Sequence, residues 1–155
     1  MELTNLKIAD TIIWKKKSAL PNNMSHNRMT RICEMVFVFC REDELKTFRM
    51  NKEVLSVRDN GIKQYTTYYN FIEAKNNDGS NSLNKATFST DLCKQLLSIY
   101  AQPNSIVYDS FMGTGTTGIA CEELGLNCWG SELSEAQVKF AYDRLEEYRN
   151  SKVGD

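Results

Sequence analysis

Apolar and polar positions follow two different rhythms along this 155-residue chain. Thr11 to Lys15 (TIIWK) and Cys33 to Phe39 (CEMVFVF) are short β-branched and aromatic runs, and SALPNNMSHNR between them is rich in turn formers. They predict neighbouring strands joined by a long loop. From Arg41 to Leu83 the chain is polar and mixed in charge, apart from an aromatic island, YTTYYNF, at Tyr65 to Phe71. With the low-complexity stretch NNDGSNSLN at Asn76 to Asn84, this region reads as an insertion or linker. Ser89 or Thr90 is then placed to cap a helix with Leu92, Cys93, Leu96, Leu97 and Tyr100 on one face, and Pro103 follows its end. Beyond it strand and helix alternate: IVYDS, GTTGIACEELG, NCWGSEL and a last helix from Ser134 to about Arg149. In that helix Val138, Ala141, Tyr142 and Leu145 fall at helical spacing, a stripe expected to pack on a sheet rather than hold a ligand. Such alternation over short connections predicts a parallel sheet built of right-handed crossovers. No internal repeat is visible.

Composition narrows the class. With 41% hydrophobic and 25% charged residues the chain reads as one soluble globular domain. No apolar run nears the roughly 20 residues of a bilayer span, and MELTNLKIAD has no signal-peptide pattern, so a cytoplasmic protein without a membrane partner is expected. Five cysteines, Cys33, Cys40, Cys93, Cys121 and Cys128, include no C-x-x-C pair. They predict neither a metal site nor a disulfide framework, and read as small buried apolar residues. His26, the only histidine, excludes mechanisms that need two. Net charge is −1, but it is polarised: Met1 to Arg31 carries six basic against two acidic residues, and Ala86 to Asp155 five basic against ten acidic. A basic face suits a nucleic-acid partner, because Lys and Arg that neutralise phosphates release counterions.

The chemistry concentrates in Asp109-Ser-Phe-Met-Gly113-Thr-Gly115-Thr-Thr-Gly118, where a buried strand must turn into a helix. Gly113 and Gly115 permit backbone angles and close approaches that a Cβ would block, so a ligand can rest on the main chain and the helix N-terminus. Just past the next strand, Glu132 is placed to accept hydrogen bonds from both hydroxyls of a ribose. The combination marks an adenosine-containing ligand. GTGTTG also satisfies G-x-G-x-x-G, but no Lys followed by Ser or Thr completes a P-loop, and a dinucleotide domain needs further strands after the acid. Asp109, at a strand end, suits the amino group of a methionine moiety better than a pyrophosphate.

These residues resemble the C-terminal part of an amino-group DNA methyltransferase of the permuted β type, in which target recognition precedes the half that binds S-adenosylmethionine (SAM). DSFMGTGTT looks like the family's D-P-F-x-G-S/T-G-T-T, with Ser110 in place of proline, and Gly130-Ser131-Glu132 like its G-x-E. Asn84-Lys-Ala-Thr-Phe88-Ser89 is loosely similar to its H-P-A-x-F-P segment. The resemblance spans Ile12 to Tyr148 and is specific over Ser105 to Leu133. It implies an α/β fold, an incomplete Rossmann-like SAM-dependent methyltransferase sheet with helices on both faces. Within one domain, residues 1–40 would be an edge strand pair, 41–85 a target-recognition-like insertion and 86–155 the SAM-binding half. Phe88, Asp109, Phe111, Met112, Gly113, Thr114, Gly115, Thr116, Thr117 and Glu132 would contact SAM or start the helix beneath it. Lys15, Lys16, Lys17, Arg28 and Arg31 would fall on the side of double-stranded DNA, with the Tyr65 to Phe71 island, where stacking on bases is an alternative to packing the insertion.

One family element is missing. The D/N/S-P-P-Y/F/W motif that grips the target amine needs adjacent prolines, and this chain has only Pro21 and Pro103. The strands between the SAM-binding pair and the Trp14 and Phe37 strands are missing with it, which leaves costly open sheet edges. Three arrangements meet these facts: one half of a split, restriction-modification type adenine-favouring enzyme whose second subunit brings D-P-P-Y; a SAM- or DNA-binding remnant or regulatory module without chemistry; and a homodimer whose copies complete each other's sheets.

Overall fold

The computed structural model describes residues 5–19, 21–79, 83–84 and 87–153. The chain divides into two compact units, Met1–Glu73 and Ala74–Asp155. In the first, β1 (Leu6–Lys16) pairs antiparallel with β2 (Cys33–Arg41), from Leu6 opposite Arg41 to Lys15 opposite Cys33. The register shifts between Ile8 and Asp10, where the Asp10 carboxylate accepts a hydrogen bond from the Thr11 amide at 2.8 Å. That bulge lets a strand run through an aspartate, so β1 starts at Leu6 rather than Thr11. Ile12 and Trp14 are buried, while Met35, Phe37 and Phe39 on β2 stay half-exposed.

The stretch expected to be an insertion or linker carries regular structure. A short 3-10 turn (Glu42–Glu44) precedes β3 (Val54–Val57) and β4 (Lys63–Tyr65), which pair antiparallel. Their connection turns at Asp59-Asn60-Gly61, with Gly61 at φ +80°. Asn-Gly is a hairpin signal in its own right. β5 (Phe71–Ala74) joins the free edge of β1, giving the order β2-β1-β5. Four residues are too few for periodicity to declare, but FIEA alternates as a strand should, with Ile72 and Ala74 buried between exposed Phe71 and Glu73.

The second unit follows the predicted alternation. Ser89 caps α1 (Thr90–Tyr100): the Leu92 amide donates to its Oγ at 3.2 Å, and that hydroxyl donates to the Lys75 carbonyl at 2.7 Å. β6 (Ile106–Asp109) and β7 (Asn127–Gly130) are parallel and in register, with α2 (Thr116–Leu124) between them in sequence. Gly125, at φ +65°, ends α2. α3 (Glu135–Val153) runs four residues past Arg149. Alternate β6 and β7 positions turn away from the helices, leaving Ile106, Tyr108 and Trp129 exposed at 56%, 63% and 67%. Among the described residues no further strand pairs with this two-stranded sheet, and no helix is long and apolar enough to cross a membrane.

Two expectations need correction. The α3 stripe does not close on a sheet: Tyr142 is 65% exposed, and Val138, Ala141, Tyr142 and Leu145 line a cleft of about 520 Å³. The same cleft is lined by Met112, Gly115, Gly118, Gly130 and Glu132. Nor are all the cysteines buried. Cys40, Cys93 and Cys121 are, Cys128 is half-buried, and Cys33 is exposed at the end of its ladder. Burial pushes the Cys93 thiol up to about 11 and the Cys121 thiol to about 12. Both stay protonated at neutral pH, so an aromatic disulfide reagent should label Cys33 at once and Cys93 and Cys121 only on unfolding. Mass spectrometry of the labelled chain would show it.

Candidate functional site

The second unit builds its site where β6 and β7 end. Hydrogen bonds carry the parallel pairing past the strands: the Ser131 amide donates to the Asp109 carbonyl at 2.9 Å, and the Met112 amide to the Ser131 carbonyl at 3.0 Å. The chain then turns into α2 through Gly113 (φ +54°) and Gly115 (φ +78°), conformations in which a Cβ is strained. Gly115 is required for a second reason. A Cβ there would stand 2.8 Å from the Ala141 Cβ, so α3 itself makes the close approach expected of a ligand. Gly130 is similar, since a Cβ would meet the Met112 side chain at 2.6 Å.

Two carboxylates brace this turn. Asp109 accepts from the Phe111 amide at 3.1 Å through one oxygen and from the Thr117 hydroxyl at 2.6 Å through the other. Glu132 accepts from the Gly113 amide at 3.0 Å and the Ser134 amide at 2.9 Å. The Ser134 amide, with those of Gly113 and Leu133, holds the Glu132 carboxyl below the usual carboxylate range. A carboxylate oxygen has more than one lone pair, so both acids remain able to accept from a ligand. Sequence reasoning singled out both acids for a ligand but missed that they support the turn.

The predicted residues gather around two hollows. Met112, Gly115 and Glu132 border the 520 Å³ cleft, whereas Phe88, Thr114 and Thr116 border a smaller one of about 150 Å³ with Phe140 and Arg144. Thr114 is only 2% exposed, and its hydroxyl has no hydrogen-bond partner among the described residues. Phe111, by contrast, is 88% exposed. Lys85 and Ala86 of the Asn84 to Ser89 segment, and residues 80–82 of the low-complexity stretch, lie outside the described residues. Asp78 and Arg144, which border the smaller hollow, were not singled out by sequence. Arg144 lies one turn beyond Ala141, and only that spacing hinted that it shares the buried face.

In the first unit the basic residues separate into two groups. Lys15 pairs with Glu73 at 2.6 Å, and Lys16 pairs with Glu34 and lies over the Trp14 ring. Lys17 is exposed and adds to the positive field at Glu73. Arg28 and Arg31 instead border an open groove with Asn22 and Met29, and neither makes an ion pair among the described residues.

Comparison with known proteins places this arrangement. The type II methyltransferases M.Cfr9I of Citrobacter freundii and M.SmaI of Serratia marcescens are similar, at 29% identity over 136 residues and 30% over 135. The matches cover 87% and 86% of this chain but 43% and 44% of those proteins, so the chain spans less than half their length. The crystal structure of the M1.HpyAVI-SAM complex superposes with a TM-score of 0.62 at 26% identity, covering 90% of this chain and 61% of that one. The fold is therefore the α/β fold of a methyltransferase, present in part. Because a family model described as DNA methylase matches residues 1–143, nearly the whole length, this chain belongs to the DNA methylase family N6_N4_Mtase.

Proposed function

We propose that this chain is the SAM-binding portion of a DNA methyltransferase acting on an exocyclic amine, with a second polypeptide supplying the proline motif. The observation that carries it is the convergence of Asp109 and Glu132 on one left-handed glycine turn at the ends of two parallel strands. That cradle fits SAM. Glu132 offers acceptors for ribose hydroxyls, and Asp109 offers them for the ammonium of the methionine half. Phe88 and Phe111 provide apolar surface for the remainder. SAM, when bound, supplies an electrophilic methyl group; the residues here bind and orient it.

Adenine N6 is the proposed target amine, ranked before cytosine N4 by the family resemblance. Double-stranded DNA is the proposed partner, in a cytoplasmic restriction-modification system, with Arg28 and Arg31, which border the open groove, as its phosphate contacts. The two units are read as parts of one methyltransferase domain. The split arrangement is favoured over an inactive remnant by the exposed apolar face of Ile106, Tyr108 and Trp129, which a complementary polypeptide would cover.

Two measurements test this. At a hundred times its Kd, SAM should add about 2.7 kcal/mol and raise the melting temperature of the purified chain by roughly 5–10 °C. No shift, with no heat of binding, overturns the SAM assignment. Methyl transfer to duplex DNA should be absent for the chain alone and appear when a D-P-P-Y-bearing partner is added. Turnover by the isolated chain would refute the split reading, and silence with every such partner would favour the inactive module.

A further inference from the structure

We infer that Arg144 is a positioning residue: it fixes the spacing between Phe88 and the glycine turn, and through it the affinity for the methionine half of the cofactor. This rests on the SAM-binding reading above. From α3, Arg144 donates through Nη1 to the Thr114 carbonyl at 3.3 Å and the Thr116 hydroxyl at 3.2 Å. Through Nη2 it reaches the Asp78 carboxylate at 2.9 Å. Asp78 in turn accepts from the Thr90 amide at 3.0 Å and from the Thr90 hydroxyl. Thr90 opens α1, two residues after Phe88.

One guanidinium therefore ties the glycine turn to the start of α1. Its fork is planar, so the two attachments cannot be adjusted independently, and a lysine could reach one or the other but not hold both in this geometry. The 150 Å³ hollow is bordered by both attachments, since Asp78, Thr114, Thr116 and Arg144 line it together with Thr87 and Phe88. Its width is set by the arginine bridge. Thr114, 2% exposed, borders the hollow, and its buried hydroxyl has no hydrogen-bond partner among the described residues.

The test compares Arg144→Gln and Arg144→Lys with the parent chain, by calorimetry against SAM and against adenosine, which ends at the ribose. Arg144→Gln should weaken SAM about tenfold, the effect of losing one charge-assisted hydrogen bond's worth of ordering, and leave adenosine within about twofold. Arg144→Lys should fall between. Lys139→Gln, which breaks only the exposed pair with Asp143 and borders neither hollow, should match the parent on both ligands. Wild-type SAM affinity in Arg144→Gln, or equal losses for SAM and adenosine, would overturn the inference. A parent chain that binds no SAM would overturn the SAM reading instead. Hydrogen exchange separates the two without ligand: the Thr90 amide should lose protection in Arg144→Gln, and unchanged protection would by itself refute the positioning role.

Discussion

Glu132→Ala is expected to weaken SAM binding about a hundredfold, the loss that follows when two hydrogen bonds to a charged acceptor go. The same substitution removes the acceptor for the Gly113 and Ser134 amides, so the turn and the start of α3 loosen together. Glu132→Gln removes the charge and keeps one of the two acceptors, because the amide oxygen can serve either the Gly113 or the Ser134 amide while its NH2 group can serve neither. The pH dependence carries its own sign. The folded-state carboxyl is held below its ordinary value by the Ser134 amide first, then those of Gly113 and Leu133. Its contribution is therefore complete above the unfolded value of about 4.3 and is lost as pH falls through the lower folded value. The gap in melting temperature between the parent and Glu132→Gln should narrow in that acidic window. A gap independent of pH between 7 and 3 would show that the carboxylate charge does not brace the turn.

Gly115→Ala is expected to destabilise the chain by about 2–5 kcal/mol. A left-handed conformation costs a residue with a Cβ about 1–2 kcal/mol, and overpacking adds about 1–3 kcal/mol. Both apply here, because φ is +78° and the new methyl would lie 2.8 Å from the Ala141 Cβ and 3.2 Å from its Cα. The backbone atom cannot yield as a flexible side chain would. Gly118→Ala provides the contrast, since a Cβ there meets nothing within 4 Å and φ is ordinary. In a helix it should stabilise by up to about 1 kcal/mol. Urea unfolding of the two variants decides between two reasons for Gly115. If its role were only to let a ligand approach, the substitution would cost no more than the roughly 1–2 kcal/mol of the left-handed backbone and would harm binding; the α3 contact predicts a larger loss without ligand.

The residues of this site do double duty. Asp109 and Glu132 hold the turn at which, in the reading proposed above, they would also meet SAM, so that little ordering entropy would remain to be lost on binding. The apolar face of Ile106, Tyr108 and Trp129 represents the opposite case, a surface finished by nothing in the described residues.

How much of this was legible in the chain depends on the range of the forces involved. The Ser89 cap, the order of β6, α2, β7 and α3, and the position of the glycine turn were all readable. Each rests on residues within a few places of one another: a cap needs its own third neighbour, and a turn needs the glycine that tolerates positive φ. β5 was not readable, because a four-residue strand exists only by virtue of the β1 edge more than fifty residues away. The Asp59-Asn60-Gly61 hairpin carried a local signal that the surrounding polarity obscured. Tyr142 matched the α3 stripe by spacing, but spacing cannot report that it borders an open cleft and stays 65% exposed.

The sequence by itself determined the family, the cofactor class and the two acids, because a glycine turn between a strand and a helix is a local solution that few residue types satisfy. Tertiary structure alone decided why Gly115 must be glycine, why Thr114 is buried and how Arg144 reaches Asp78 across 66 residues. Those are facts of packing between elements, and a side chain's neighbours in space are not written in its neighbours in sequence.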